Sequence, residues 1–245
     1  MSASKFRFPV LLAAGALLVS VGQAGAATVI ANVGGAAAGV NYLNFDGSPL
    51  GDANVTVTVT PDAQAVTGSS SGVYAAPYLS GNNNQYFGSL YTGADTTPYL
   101  TSGRDDSSNP GAAVTLTFNS PQQYFGLLWG SVDDYNTLSF YNGDPNSGGS
   151  LVDTVTGTDV TAAPSGDQGI NGTFYVNILT SGGFDYVVAT SSQYAFEFDN
   201  VAYSQRVPHV GQVPLPASIW LFGSVVAGSG LLFRRRRKRD AAAAA

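Results

Sequence analysis

Residues 113–130 read AVTLTFNSPQQYFGLLWG. The first six residues alternate, with Val114, Leu116 and Phe118 on one face and threonines on the other. A period of two is the mark of a half-buried β-strand. From Gln123 onward the stretch is almost wholly apolar, which suits a central strand covered on both faces. Between the halves, NSPQQ (119–123) has the Asn, Ser and Pro content of a turn. The segment predicts two strands joined by that turn.

The same reading extends outward. NVTVTVT sets Val55, Val57 and Val59 on one face, NTLSFY offers Leu138 and Phe140, and TFYVNI offers Phe174, Val176 and Ile178. FDYVVAT (184–190) and YAFEFDNVAY (194–203) supply further strands. NGDPNSGG (142–149), APSGDQG (163–169) and TSGG (180–183) punctuate them as turns. Residues 28–110 contain the low-complexity runs GGAAAG, TGSSSG and SGNNNQ, and give the first strands plus long loops of the same domain. Thirty glycines and twelve prolines in 245 residues disfavour helices. The expectation is an all-β, antiparallel β-sandwich or jelly-roll-like body over residues 28–204, with no large helix between residues 28 and 212. A signal helix precedes it, a linker (205–212) follows, and a transmembrane helix ends the chain.

Charge is segregated. Residues 28–216 hold fifteen acids against Arg104 and Arg206, a formal charge of −13. Such a surface repels phosphates, so nucleic acid is not a partner. Residues 1–27 read as a secretory signal peptide: Lys5 and Arg7 precede an apolar stretch, and small residues set up cleavage after Ala26 or Ala27. The partners this implies are the Sec translocon and signal peptidase. At the other end, residues 217–233 carry no charge and are long enough, at about 1.5 Å per residue, for a short membrane helix. Pro216 fits its first turn. Arg234, Arg235, Arg236, Arg237, Lys238 and Arg239 follow as a stop-transfer cluster held on the cytoplasmic side. Both ends give one topology, with the acidic body outside. An ordinary single-pass anchor satisfies the same pattern.

The ordered set Val213, Pro214, Leu215, Pro216, Ala217, then the apolar helix and the basic cluster, resembles the PEP-CTERM sorting signal of Gram-negative bacteria in its VPLPA form, over residues 213–239. Leu215 stands where the family usually has Glu. The resemblance implies an exosortase as partner. It also implies an inner-membrane-anchored precursor and a mature protein at the cell surface or in the extracellular matrix. A second resemblance covers roughly residues 110–203. Phe125, Gly126, Trp129, Gly130, Ser131, Asp133, Tyr135, Asn136, Thr137, Leu138 and Phe140, with Phe196, Glu197, Phe198, Asp199 and Asn200, look like a family of exosortase-sorted surface proteins. That resemblance supports a surface location and a sandwich, and no catalysis.

Chemistry-bearing motifs are few. The chain has no cysteine and one histidine, His209, between Pro208 and Val210 in the linker. A catalytic histidine needs an orienting partner and a pocket, so a solvated linker position fits better. One histidine and no thiolate leave no zinc site. Asp133, Asp134, Glu197 and Asp199 are the candidates for a carboxylate pair. Strand alternation puts Glu197 and Asp199 opposite Phe196 and Phe198, as a polar outer face. A structural Ca²⁺ is the one cofactor considered, with DDYN (133–136) and NGDPN (142–146) as its best loops. Trp129, inside an apolar run, reads as core. Tyr74, Tyr78, Tyr86, Tyr91, Tyr99, Tyr124, Tyr135 and Tyr141 are candidates for stacking on sugars. The main expectation is a secreted, non-enzymatic structural or adhesive surface protein. The alternative is a carbohydrate-binding module, calcium-assisted or not, with exopolysaccharide as its partner. A glycoside hydrolase ranks below both.

Overall fold

A computed structural model describes residues 26–32, 35–78, 93–102, 112–169, 171–193 and 195–210. The signal peptide upstream of Ala26, the motif Val213–Ala217, the span 217–233 and the basic cluster 234–239 lie outside them. Among the described residues no helix is long and apolar enough to cross a membrane.

Among the described residues ten strands form the body: β1 (Thr28–Asn32), β2 (Asn41–Leu43), β3 (Val55–Val59), β4 (Gln64–Val66), β5 (Tyr99–Ser102), β6 (Ala113–Gly130), β7 (Asn136–Asn142), β8 (Ser150–Thr156), β9 (Phe174–Ser191) and β10 (Phe196–Ser204). All named pairings are antiparallel. The largest α-helix among the described residues is α1 (Gly157–Val160), a single turn. The antiparallel all-β expectation holds.

Two expected turns are not turns. NSPQQ lies inside β6 and TSGG inside β9, each an 18-residue strand. The physical reason is a shared irregularity. The β6–β9 ladder runs from Ala113↔Thr190 to Thr117↔Tyr186, then shifts register twice before resuming at Tyr124↔Leu179. Pro121 has no N–H to give a ladder, and Gly182 and Gly183 adapt to a bend. Residues suited to a turn here make a paired bulge. The two strands stay hydrogen-bonded on either side of it and bend together.

The bend turns one sheet into two layers. Phe118 and Phe125 stand seven residues apart on β6, about 23 Å along a straight strand. Their ring centroids are 6.4 Å apart, nearly perpendicular. The first layer contains β4, β5, β10, the second half of β6, the first half of β9 and β1, with β2 also on β10. The second contains β3, the first half of β6, the second half of β9, β7 and β8. Phe184 sits at the crease, 5.0 Å from Phe140, 5.7 Å from Phe118 and 6.3 Å from Phe125. Val114, Leu116, Leu138, Val176 and Ile178 complete the shared core, as their alternation predicts. Val59 stays 41% exposed because β3 is an edge strand.

QYFGLLWG is the central strand foreseen, buried from Tyr124 to Gly130 between β10 and β9. Its outer face is also covered. Tyr124, Leu128, Tyr175 and Ala202 pack under Ala37 and its neighbours. Tyr124 donates its hydroxyl proton to Asn177 Oδ1 at 2.7 Å and accepts from the Ala37 N–H at 3.2 Å. The crease predicts its own sensitivity. Phe184→Ala should cost about 3–5 kcal/mol in chemical denaturation, because both layers lose contact with the same ring.

Candidate functional site

At the open end of the first layer, β6 finishes at Gly130 opposite Glu197 of β10. A strap, residues 72–78, crosses this end. It comes close because position 130 has no side chain: a Cβ there would lie 3.1 Å from Pro77 Cα. The Ala75 N–H donates to Glu197 Oε1 at 2.7 Å, and Ser131 Oγ donates to Glu197 Oε2 at 2.8 Å. Ser131 adopts φ +36°, a left-handed backbone that non-glycine residues rarely take. That turn out of β6 brings its hydroxyl to Glu197 and carries the chain on to Asp133.

The result is a cleft of about 160 Å³. Glu197, Ser131, Ala195 and Asp133 form its buried side, and Tyr135, Tyr74, Gly166 and Gln168 line the rest. The 163–169 loop wraps the Asp133 carboxyl by way of Gly166, at φ +63°, where a Cβ would stand 2.5 Å from Asp133 Oδ1. The Gly166 N–H donates to the Val132 carbonyl at 3.0 Å and fixes that approach.

Burial governs the titration here. Glu197 is pushed up to about 7, by desolvation first, against the bonds from Ala75 and Ser131 that favour its charge and with the Asp133 charge adding to the rise. Asp133 is raised by burial too, partly offset by the hydrogen bond with the Tyr135 hydroxyl. Tyr135 is raised in turn, chiefly by desolvation and then by that same bond.

The acidic candidates therefore part company. Asp133 and Glu197 meet in one cleft, Asp134 is exposed, and Asp199 is buried farther along β10. The alternation that sets Glu197 and Asp199 opposite the phenylalanines holds. The outer face itself is not solvated, since Glu197 is 2% and Asp199 1% exposed beneath covering segments. The two loops considered for calcium use their polar groups locally. Asp144 accepts from Asn146 N–H and Ser147 Oγ to cap a short 3-10 turn (Pro145–Ser147), and Asn136 Oδ1 accepts from Ser191 Oγ. Trp129 is core, stacked on Phe196 at 4.4 Å. Among the candidate tyrosines, Tyr99 and Tyr124 are buried, Tyr74 and Tyr135 line the cleft, and Tyr78 and Tyr141 are half-buried elsewhere. Tyr86 and Tyr91 lie outside the described residues. His209 is exposed beyond β10. Tyr74, Gly166 and Gln168 come to the cleft through loops with no pattern of their own, and only the Tyr74 side chain had drawn notice.

No protein-family model matches the chain, and no curated protein does. Solved structures do. A variant of a family 29 carbohydrate-binding module aligns at 12% identity over 64% of this chain and 99% of that one, with a TM-score of 0.29. A second variant of that module aligns at 11% identity over 61% and 92%, with a TM-score of 0.27. A third aligns at 12% identity over 65% and 99%, at 0.29. Likeness this slight carries no argument about ligand or mechanism.

Glu197 gives a pH test. Its folded state binds a proton more tightly than a free side chain, so folding takes one up. The contribution is complete below about pH 4.5 and is lost as pH rises to about 7. Glu197→Gln keeps an acceptor for Ala75 and a partner for Ser131. It should flatten that window in urea-melt stability and gain roughly 3 kcal/mol over the parent at pH 8.

Proposed function

We propose that this chain is an exported, non-enzymatic surface protein whose body binds a neutral saccharide in the cleft of Asp133, Tyr135 and Tyr74. The observation that carries the reading is the chemistry of that cleft. Among the described residues its lining holds two tyrosines, two carboxylates, Ser131 and Gln168, and no cation. Anions are repelled by such a site, whereas hydroxyl groups suit it: carboxylates accept from them, and tyrosine faces pack against the C–H side of a sugar ring. Drug-sized pockets run to about 300–1,000 Å³. A cleft this small suits one ring or a chain end.

Binding is favoured over hydrolysis because of what Glu197 is doing. Both of its oxygens are engaged by the strap and by Ser131. It acts as a tether, which leaves Asp133 as the carboxylate at hand for a ligand. Sugar hydrolysis needs two carboxyl groups free to reach opposite sides of one bond.

Export belongs to the same proposal and rests on the sequence. Cleavage after Ala27 would leave β1, which begins at Thr28, intact. The Val213–Ala217 motif, the helix 217–233 and the cluster 234–239 would then hold the precursor in the inner membrane for an exosortase. The acidic body would face outward, among polysaccharides.

A neutral-glycan array followed by calorimetry tests the ligand. Asp133→Asn should weaken binding about tenfold or more with the fold unchanged, as loss of a charge-assisted hydrogen bond predicts. Failure of every neutral glycan to bind would leave a structural matrix role without a ligand. Intact mass of surface-extracted protein tests export. The expected mass lacks residues 1–27 and the basic tail, and an unprocessed chain in the cytosol would contradict it.

A further inference from the structure

A second acidic site lies one step along β10 from the cleft. Asp199 is 1% exposed, and neither carboxylate oxygen has a well-formed hydrogen-bond partner; only the neighbouring Asn200 N–H lies close enough to favour its charge. Asp95 is 2% exposed, and its Oδ2 is likewise unpartnered. The two carboxyl groups lie within hydrogen-bond reach of one another. Two carboxylates offer only acceptors, so neither satisfies the other. A buried charge left in that state is costly, and proteins resolve it with a cation or a proton.

Three elements bring the groups together. A bulge in β10 between Asp199 and Ala202 turns the strand, with Asn200 at φ +50°. Asp95 is fixed to the strap, its N–H donating to the Pro77 carbonyl at 2.8 Å. Its Oδ1 accepts from Thr97 N–H at 2.9 Å and Thr97 Oγ at 2.6 Å, which leaves Oδ2 for Asp199. Asp46 approaches from the loop after β2. The β2–β10 register runs from Asn41↔Tyr203 to Leu43↔Val201, so the residues after Leu43 continue toward Asp199. Buried Phe45, edge-on to Phe198 at 5.9 Å, anchors that continuation. The Asp46 carboxyl is exposed, shares Thr97 as a partner and feels the charge of Asp95.

We infer that Asp95 and Asp199, with Asp46 at the mouth, form a binding site for a divalent cation of the Ca²⁺ class. Oxygen is the only donor type these side chains offer, and Ca²⁺ takes six to eight oxygens in flexible geometry. Arg206 is the single Lys or Arg among the described residues, and it is exposed past the end of β10. Among the described residues no three acidic or imidazole side chains are grouped so as to hold a metal ion by themselves. The two buried carboxylates are the anchor, and Asp46, main-chain carbonyls and water supply the rest. The site joins β10 to the strap and to the β2 loop. It would therefore stabilise the wall that carries the cleft without touching a ligand in it.

The test uses the full chain in detergent, stripped with EDTA, and melted with CaCl₂ or MgCl₂. The melting temperature should rise by about 5–10 °C in 1 mM CaCl₂ and less in MgCl₂, with one Ca²⁺ per chain by calorimetry. Asp199→Asn should abolish that shift, while its metal-free melting temperature stays at or above the parent's because a buried charge is gone. Asp46→Asn, at an exposed position, serves if Asp199→Asn does not fold. It should weaken Ca²⁺ several-fold. An unmoved parent melting temperature at 10 mM CaCl₂, or a shift retained in both variants, would overturn the site. Metal-free protein that instead gains stability only as pH falls would assign the pair a shared proton.

Discussion

Everything in this body hangs on the coupled bend of β6 and β9. Two strands that pair with each other cannot bend separately, because each holds the other's backbone groups. Pro121 breaks the ladder on one strand, and Gly182 and Gly183 give way on the other. Phe184 fills the inside of the crease against Phe118, Phe125 and Phe140. A single hydrogen-bonded sheet thereby becomes both walls of a sandwich, and no separate second sheet has to find the first.

The bend also determines where function can sit. It fixes the inner face of β10, with Phe196 and Phe198 in the core, so Glu197 and Asp199 must point outward. An outward carboxylate would ordinarily be solvated. Here covering segments bury both, and the two are stabilised by different means. Glu197 is satisfied by neutral donors, one main-chain N–H and one hydroxyl, and so becomes a tether for the strap. Asp199 faces another carboxylate, Asp95, and only the neighbouring Asn200 N–H favours its charge. In a body with a formal charge of −13, the first arrangement builds a cleft and the second calls for a counter-ion from solution.

The strands were legible because their alternation survives in the structure. Val114, Leu116 and Phe118 face the core, and Tyr124 to Gly130 are covered on both faces. The bend was not legible, because turns and bulges draw on the same residues. Pro, Gly, Ser and Asn say that a ladder is interrupted, not whether the chain reverses. In the candidate site, Asp133, Tyr135 and Glu197 stood out in sequence because the first two lie between strong strands and the third alternates with phenylalanines inside one. Their convergence with Tyr74 and Gln168 depends on long-range packing of loops without periodicity. The cover over Glu197 and Asp199 was hidden for the same reason: it comes from residues 72–78 and 93–97, whose sequence shows no pattern.

Native-state hydrogen exchange, resolved by residue, tests the coupled bend most directly. Amides of 113–117 and 124–129 on β6, with their partners on β9, should exchange through one common global opening. Those of Ser120 and Gln123, inside the bulge, should exchange much faster. Two separate opening free energies, one for each half of β6, would contradict the account, for they would mean two sheets that unfold independently.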